Sequence, residues 1–201
     1  MSALNPIINR VVGKFVKEDW LDFAFSHVDS MLTVSRVMAK VVSISDETSD
    51  IKRFVLQPNQ HWKSFQAGQF VTVKVMIDGS FRERCYSLVS APTDSVIEIG
   101  VKRQPQGKVS NWMHDNLSVG DVIELGDVGG DFVLPATLLS KMLLIAGGSG
   151  VTPIYSILVE ALKRQANLDV TVMYYANTDK DLAFGNEMVE LAVKHPSLKL
   201  H

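Results

Sequence analysis

Short runs of alternating apolar and polar residues fill the middle of the chain, and unbroken apolar runs take over near its end. From Ser35 the segments RVMAKVVSIS, IKRFVLQP, QFVTVKVMI, RCYSLVSAP, SVIEIGVKR and DVIELGDV have the short, β-branched pattern of half-buried strands. Asn59, Asp78-Gly79-Ser80, Pro92-Thr93-Asp94, Pro105-Gln106-Gly107 and Gly120-Asp121 separate them with turn chemistry. Six strands within about a hundred residues predict a small antiparallel barrel or sandwich. One short helix, VSNWMHDNL, interrupts the series directly after Gly107-Lys108.

At Lys141 the pattern changes. MLLIAGG is continuously apolar, which predicts a strand buried on both faces of a parallel sheet. A helix follows, with Ile154, Ile157, Leu158, Ala161 and Leu162 at i, i+3, i+4, i+7 and i+8. DVTVMYY reads as a second buried strand, EMVELAVKH as a second helix and SLKL as the start of a third strand. The expected organisation is an N-terminal helical extension over 1–34, a six-stranded antiparallel barrel over 35–136 and a partial parallel Rossmann-like unit over 137–201. A third strand only just begun leaves edges and helix faces uncovered, so the chain is expected to be a fragment of a longer protein. In the extension, Trp20, Leu21, Phe23, Ala24, Phe25, Val28 and Leu32 are expected to form a broad apolar helix face packed on the rest of the protein.

Composition trims the range of functions. A net charge of -2 over 201 residues, with scattered basic residues, gives no field suited to nucleic acid. The single cysteine, Cys85, excludes an internal disulfide framework and a multi-cysteine metal site within this sequence, and suits a reducing compartment. It is expected to point into the barrel as a small buried hydrophobe. His27, His61, His114, His195 and His201 show no metal-like spacing. No apolar run is long enough for a transmembrane helix and no signal-peptide pattern opens the chain, so a soluble cytoplasmic protein is expected.

Three segments carry candidate chemistry. In RERCYS, Arg82, Arg84 and Tyr86 alternate onto one face, and Glu83, Cys85 and Ser87 onto the other. Arginine offers a planar fork for phosphate, tyrosine a flat stacking surface and serine a donor for a ring nitrogen or carbonyl. A plain surface strand is the alternative. The second segment, Gly107-Lys108-Val109-Ser110, places a glycine turn before a helix whose free amides suit an anion, although Ser110 could simply cap that helix. The third is Gly147-Gly148-Ser149-Gly150-Val151-Thr152-Pro153, between a buried strand and a helix, where open α/β sheets bind nucleotides. It is neither GxGxxG nor a P-loop, and a tight strand–helix turn is its bland reading.

In this order the three segments resemble the ferredoxin–NADP reductase family, over about residues 36–200. The resemblance implies a flavin-binding barrel followed by a pyridine-nucleotide domain. It assigns Arg84, Tyr86 and Ser87 to the flavin, with Ser87 near its reactive N5, together with the backbone of Val101 and Lys102. Lys108, Val109 and Ser110 would hold a pyrophosphate, which favours FAD over FMN. Thr152 would lie close to the isoalloxazine, while Gly147, Gly148, Gly150 and Pro153 shape the nicotinamide-nucleotide loop. Read from the residues alone, no acidic side chain ends the DVTVMYY strand where a ribose-binding carboxylate is expected, and Asn177, Thr178 and Lys180 could instead meet a 2′-phosphate, which inclines the reading slightly towards NADPH and leaves NADH open. In GDVGGDF, Val128 stands where the family has proline, and the family's later Cys-Gly segment is absent.

The implied activity is hydride transfer from NAD(P)H to FAD, then single-electron transfer to an iron–sulfur protein in an oxygenase or desaturase chain. The N-terminal extension is similar to that of a subgroup ending in a plant-type [2Fe–2S] ferredoxin domain, which would lie beyond this chain and could bring it to a membrane surface through its acceptor. Two alternatives stay open: a module that binds FAD without nicotinamide turnover, and a regulatory subunit on the same fold.

Overall fold

The computed structural model describes residues 20–22 and 27–201. Six strands form one antiparallel sheet: β1 (Val37–Asp46), β2 (Ile51–Pro58), β3 (Phe70–Ile77), β4 (Ser80–Ser87), β5 (Ile97–Lys102) and β6 (Val122–Gly129), in the order β4-β3-β6-β1-β2-β5. Helix α1 (Lys108–Asn116) lies between β5 and β6. Alternation sets the core: Val71, Val73 and Val75 of β3 point inward beside Ala39, Val41, Phe54, Leu56 and Ile99. Asp78 (φ 49°) and Gly79 (φ 71°) make the two-residue hairpin between β3 and β4. Two consecutive left-handed residues match the twist of the flanking strands, so β4 begins at Ser80, earlier than RCYSLVSAP suggests, and ends at Ser87.

The second unit is a parallel sheet, β7 (Lys141–Gly147), β8 (Asp169–Tyr175) and β9 (Leu198–Leu200), in that order, with α2 (Val151–Arg164) and α3 (Gly185–Lys194) as crossovers. Leu144, Ala146, Val170, Val172 and Leu198 share one core with Ile154, Ile157, Leu158, Ala161 and Leu162 of α2 and Met188 of α3. The expectation that β7 is buried on both faces does not hold: Leu143 and Ile145 are each 59% exposed. The buried residues of α2 and α3 meet the same inward side chains of the three strands, so both helices cover one face and leave Leu143 and Ile145 open on the other.

The two units pack on each other. Ile51, Ala67, Val89 and Leu134 from the barrel side enter the core of the α/β unit. Arg53 of β2 reaches Glu47 at 2.8 Å and Glu187 of α3 at 2.6 Å, with Glu98 of β5 at 3.8 Å. Its guanidinium lies 4.6 Å from the ring centroid of Phe184, which stacks on Tyr155 of α2. The Ser156 hydroxyl, also on α2, donates to the Ser90 carbonyl at 2.8 Å.

Of the apolar face expected in the N-terminal extension, Phe23, Ala24 and Phe25 lie outside the described residues, while Trp20, Val28 and Leu32 are exposed. Leu21 is half-buried, and the contact through Asp22 is polar. The buried Asp22 carboxylate accepts from the Val34 amide at 2.6 Å and from Arg36 Nε at 2.7 Å. Among the described residues no helix is long and apolar enough to cross a membrane.

Candidate functional site

The six-stranded sheet curls until its edges, β4 and β5, meet at one end only. Just past β4, Leu88 bridges Ile99, and the Val89 amide donates to the Glu98 carbonyl at 2.8 Å. Towards Arg84 and Lys102 the edges stay apart, leaving a cleft of about 450 Å³ in the seam. Edge strands carry unpaired backbone donors and acceptors, so such a seam offers ready polar contacts to a ligand.

Three parts of the chain line this cleft: Arg84, Cys85, Tyr86 and Ser87 of β4; Gly100, Lys102, Gln104 and the Gly107–Ser110 turn; and Ser149 from the loop after β7 with Thr152 from the first turn of α2. Eight of the residues assigned by the resemblance thus converge: Arg84, Tyr86, Ser87, Lys102, Lys108, Val109, Ser110 and Thr152. Val101 does not join them. It is fully buried, and its carbonyl accepts from His114 Nε2 at 2.8 Å.

Register explains the directions of the β4 side chains. Tyr86 pairs with Val71 and Arg84 with Val73, so both start on the face of the inward valines. Cys85 pairs with Thr72 on the other face, its Sγ 3.6 Å from Thr72 Oγ1, and is exposed rather than buried in the barrel. The alternation within RERCYS is as read from sequence; the direction of its two faces is reversed. Burial pushes the Tyr86 phenol up to about 12 despite the opposing pull of Arg84, so Tyr86 stays neutral at ordinary pH.

The cleft is cationic. Among the described residues no carboxylate lines it, and neither Arg84 nor Lys108 forms an ion pair with a carboxylate. Arg84 donates only to the Glu83 carbonyl, at 3.2 Å. Lys102 is held 3.2 Å from Asp50. Gly107 is the N-cap of α1 without a side-chain cap, so the first amides of that helix remain open to an anion. Ser110 is not the cap, because its hydroxyl accepts from the Gln104 amide at 3.3 Å. A Cβ at Gly107 would lie 2.5 Å from Ser110 Oγ, which explains the glycine.

At the carboxyl ends of β7 and β8 lies a second cleft of about 220 Å³, bordered by Gly148, Tyr175, Ala176, Asn177 and Asp181, with Asp50, Ile51 and Lys102 across from them. Lys102 borders both clefts. Gly148 has φ +51°, and its carbonyl accepts from the Tyr174 hydroxyl at 3.2 Å. Gly147, Gly150 and Pro153 shape the turn into α2 but line neither cleft. Sequence reasoning passed over Gly100. A glycine inside a strand signals close backbone approach, and a Cβ there would meet Thr152 Cγ2 at 2.7 Å.

Residues 37–133 match the family of oxidoreductase FAD-binding domains and residues 144–201 that of oxidoreductase NAD-binding domains. The chain is 34% identical, over 84% of its length and 46% of the relative's, to the glycine betaine monooxygenase reductase subunit of Chromohalobacter salexigens. It is 29% identical, over 98% of its length and 52% of the relative's, to an NADPH oxidoreductase of Mycobacterium tuberculosis. A third relative, the ferredoxin reductase component of 3-ketosteroid-9-alpha-monooxygenase from Mycobacterium tuberculosis, is 42% identical over 66% of this chain and 37% of its own. Among solved structures, the FAD/NAD-binding domain of nitric oxide dioxygenase from Vibrio cholerae superposes with a TM-score of 0.75 at 29% identity, covering 84% of this chain and 73% of that one. The chain spans about half the length of the first two of these relatives.

Proposed function

The chain belongs to the ferredoxin–NADP reductase-like family, and from that premise we propose an NAD(P)H-dependent flavin oxidoreductase that delivers electrons singly to an iron–sulfur acceptor. The observation that carries this reading is the seam cleft, where Arg84, Lys108 and the amide-rich start of α1 sit at one ligand-sized opening with Tyr86, Ser87 and Thr152, with no carboxylate among the described residues that line it. That donor set fits FAD: cations and helix amides for two phosphates, a neutral phenol and hydroxyls for a flat ring. Bound there, FAD would supply the exchange between two-electron and one-electron chemistry, which side chains cannot perform themselves.

The protein's part is placement. Arg84 and Lys108 would hold phosphate oxygens, with the amides of Val109 and Ser110 beside them. Tyr86, kept neutral by burial, presents its ring and hydroxyl without adding a charge. Ser87 is assigned a donor's role at the ring, near N5. Thr152 Oγ1 donates to the Ser149 carbonyl at 3.0 Å, which fixes its side chain where the two units meet. In this reading residues 35–136 hold FAD, and residues 137–201 receive NAD(P)H through Gly148 and Asn177.

The acceptor is assigned to an oxygenase chain because two relatives are named reductase components of monooxygenases. With one cysteine in the sequence, this chain has no thiolate set for a [2Fe–2S] cluster, so the acceptor cluster belongs elsewhere. A cytoplasmic location goes with this proposal.

An absorption spectrum of the protein supplied with FAD, before and after anaerobic NADH or NADPH, tests the reading. Flavin bands that bleach on addition are the expected result. Bands without bleaching would leave a flavin-binding module, and failure to retain FAD would sink the assignment of the seam.

A further inference from the structure

We propose that the second cleft selects NADH over NADPH, and that Asp181 and Asp50 make the choice. The inference rests on the pyridine-nucleotide reading of that cleft and runs against the leaning that Asn177, Thr178 and Lys180 suggest in sequence. In open α/β sheets the nucleotide lies beyond the carboxyl ends of the strands, and the group met by the adenosine ribose decides the cofactor. A carboxylate accepts a hydrogen bond from the 2′-hydroxyl of NADH, whereas a cation receives the 2′-phosphate of NADPH.

Here β8 ends at Tyr175, and the charged side chain that returns to the cleft from the following turn is Asp181. Its Oδ2 accepts from the Thr178 amide at 3.1 Å and from the Thr178 hydroxyl at 2.9 Å. The carboxylate is therefore fixed in place, and the Thr178 hydroxyl is already spent on it. Lys180 is exposed and does not line the cleft. The lining cation is Lys102, and Asp50 Oδ2 holds it at 3.2 Å while Asp50 Oδ1 accepts from the Thr48 hydroxyl at 2.9 Å. The lining thus carries two carboxylates against one ammonium that is already paired. A 2′-phosphate would bring roughly two more negative charges to this lining. A ribose hydroxyl brings none and can donate to Asp181. At a half-open site, each like-charge contact costs about fivefold to tenfold in affinity, so discrimination against the phosphate of about tenfold or more follows.

Calorimetric titration of NAD⁺ and NADP⁺ into the protein supplied with FAD, at low salt, reads this directly, with Asp181→Asn and Asp50→Asn alongside. In Asp181→Asn the amide oxygen can still accept from the Thr178 amide, so the turn is kept while the charge goes. NAD⁺ is expected to bind about tenfold or more tighter than NADP⁺, and either variant should narrow that ratio by at least about threefold. Equal affinities, tighter NADP⁺, or a ratio unmoved by both variants would overturn the inference and leave the pyridine-nucleotide reading intact. Absence of binding by either nucleotide would remove that reading, and the inference with it.

Discussion

Gly100→Ala tests whether the close contact between β5 and α2 holds the two units in register. The added Cβ would stand 2.7 Å from Thr152 Cγ2 and 3.3 Å from Phe184 Cζ, both on buried residues. Carbon atoms sit comfortably at about 3.5–4.0 Å, so the first contact is about 1 Å too short. Neither neighbour retreats freely. Thr152 is held by its hydroxyl on the Ser149 carbonyl, and Phe184 lies between the Tyr155 ring and the Arg53 guanidinium. Overpacking of this kind costs about 1–3 kcal/mol. Alanine recovers about 0.5–1 kcal/mol because glycine is a poor strand residue. At the middle of both ranges the clash wins by about 1.25 kcal/mol, which corresponds to a melting temperature lower by roughly 2.5–5 °C for a chain of this size. Thermal denaturation followed by circular dichroism measures it. In a second arm, Thr152→Ser deletes Cγ2 and keeps the hydroxyl, so Gly100→Ala combined with Thr152→Ser should regain most of the loss. A melting temperature unchanged or raised in Gly100→Ala, or a double variant no better than the single, would refute the contact as the cause.

Arg84→Ala should weaken FAD binding by about 1–3 kcal/mol, the value of a charged hydrogen bond, with the fold kept; fluorescence titration of FAD measures the loss. Arg53→Met removes the cation that faces Glu47, Glu98 and Glu187 between the units. Because that site is half-buried, the expected loss is about 1–3 kcal/mol, between exposed and fully buried pairs, and denaturant unfolding reads it. The phenols of Tyr86 and Tyr155 are both raised to about 12 by burial, so their contribution to stability is full below the ordinary value near 10 and is lost as pH rises through about 12. An ultraviolet titration should show phenols ionising late, and Tyr86→Phe should remove part of that late step; a Tyr86 that titrates at its ordinary value would contradict the burial.

Much of this fold was legible because local patterns and tertiary packing agree. The Asp78-Gly79 pair fixes the β3–β4 hairpin through its left-handed backbone, and the spacing of Ile154, Ile157, Leu158, Ala161 and Leu162 gives the buried face of α2. What escaped depends on partners distant in sequence. RERCYS shows which residues share a face, but only pairing with β3 decides which face turns inward, and Val71 and Val73 decide it for Tyr86 and Arg84 while Thr72 takes Cys85 outward. Likewise MLLIAGG reads as buried on both faces, yet the order β7-β8-β9 puts both helices on one side and leaves Leu143 and Ile145 open. Local sequence gives no sign that Arg53 will face Glu187 of α3, or that Asp50 will border a cleft built by β8. These long-range placements also join the two clefts through chemistry. Lys102 borders both and is restrained by Asp50, so a phosphate entering the seam would compete for the cation that offsets the carboxylates of the neighbouring cleft. That shared border exists because β5 runs between the two units; in either cleft taken alone Lys102 would read as an ordinary surface lysine.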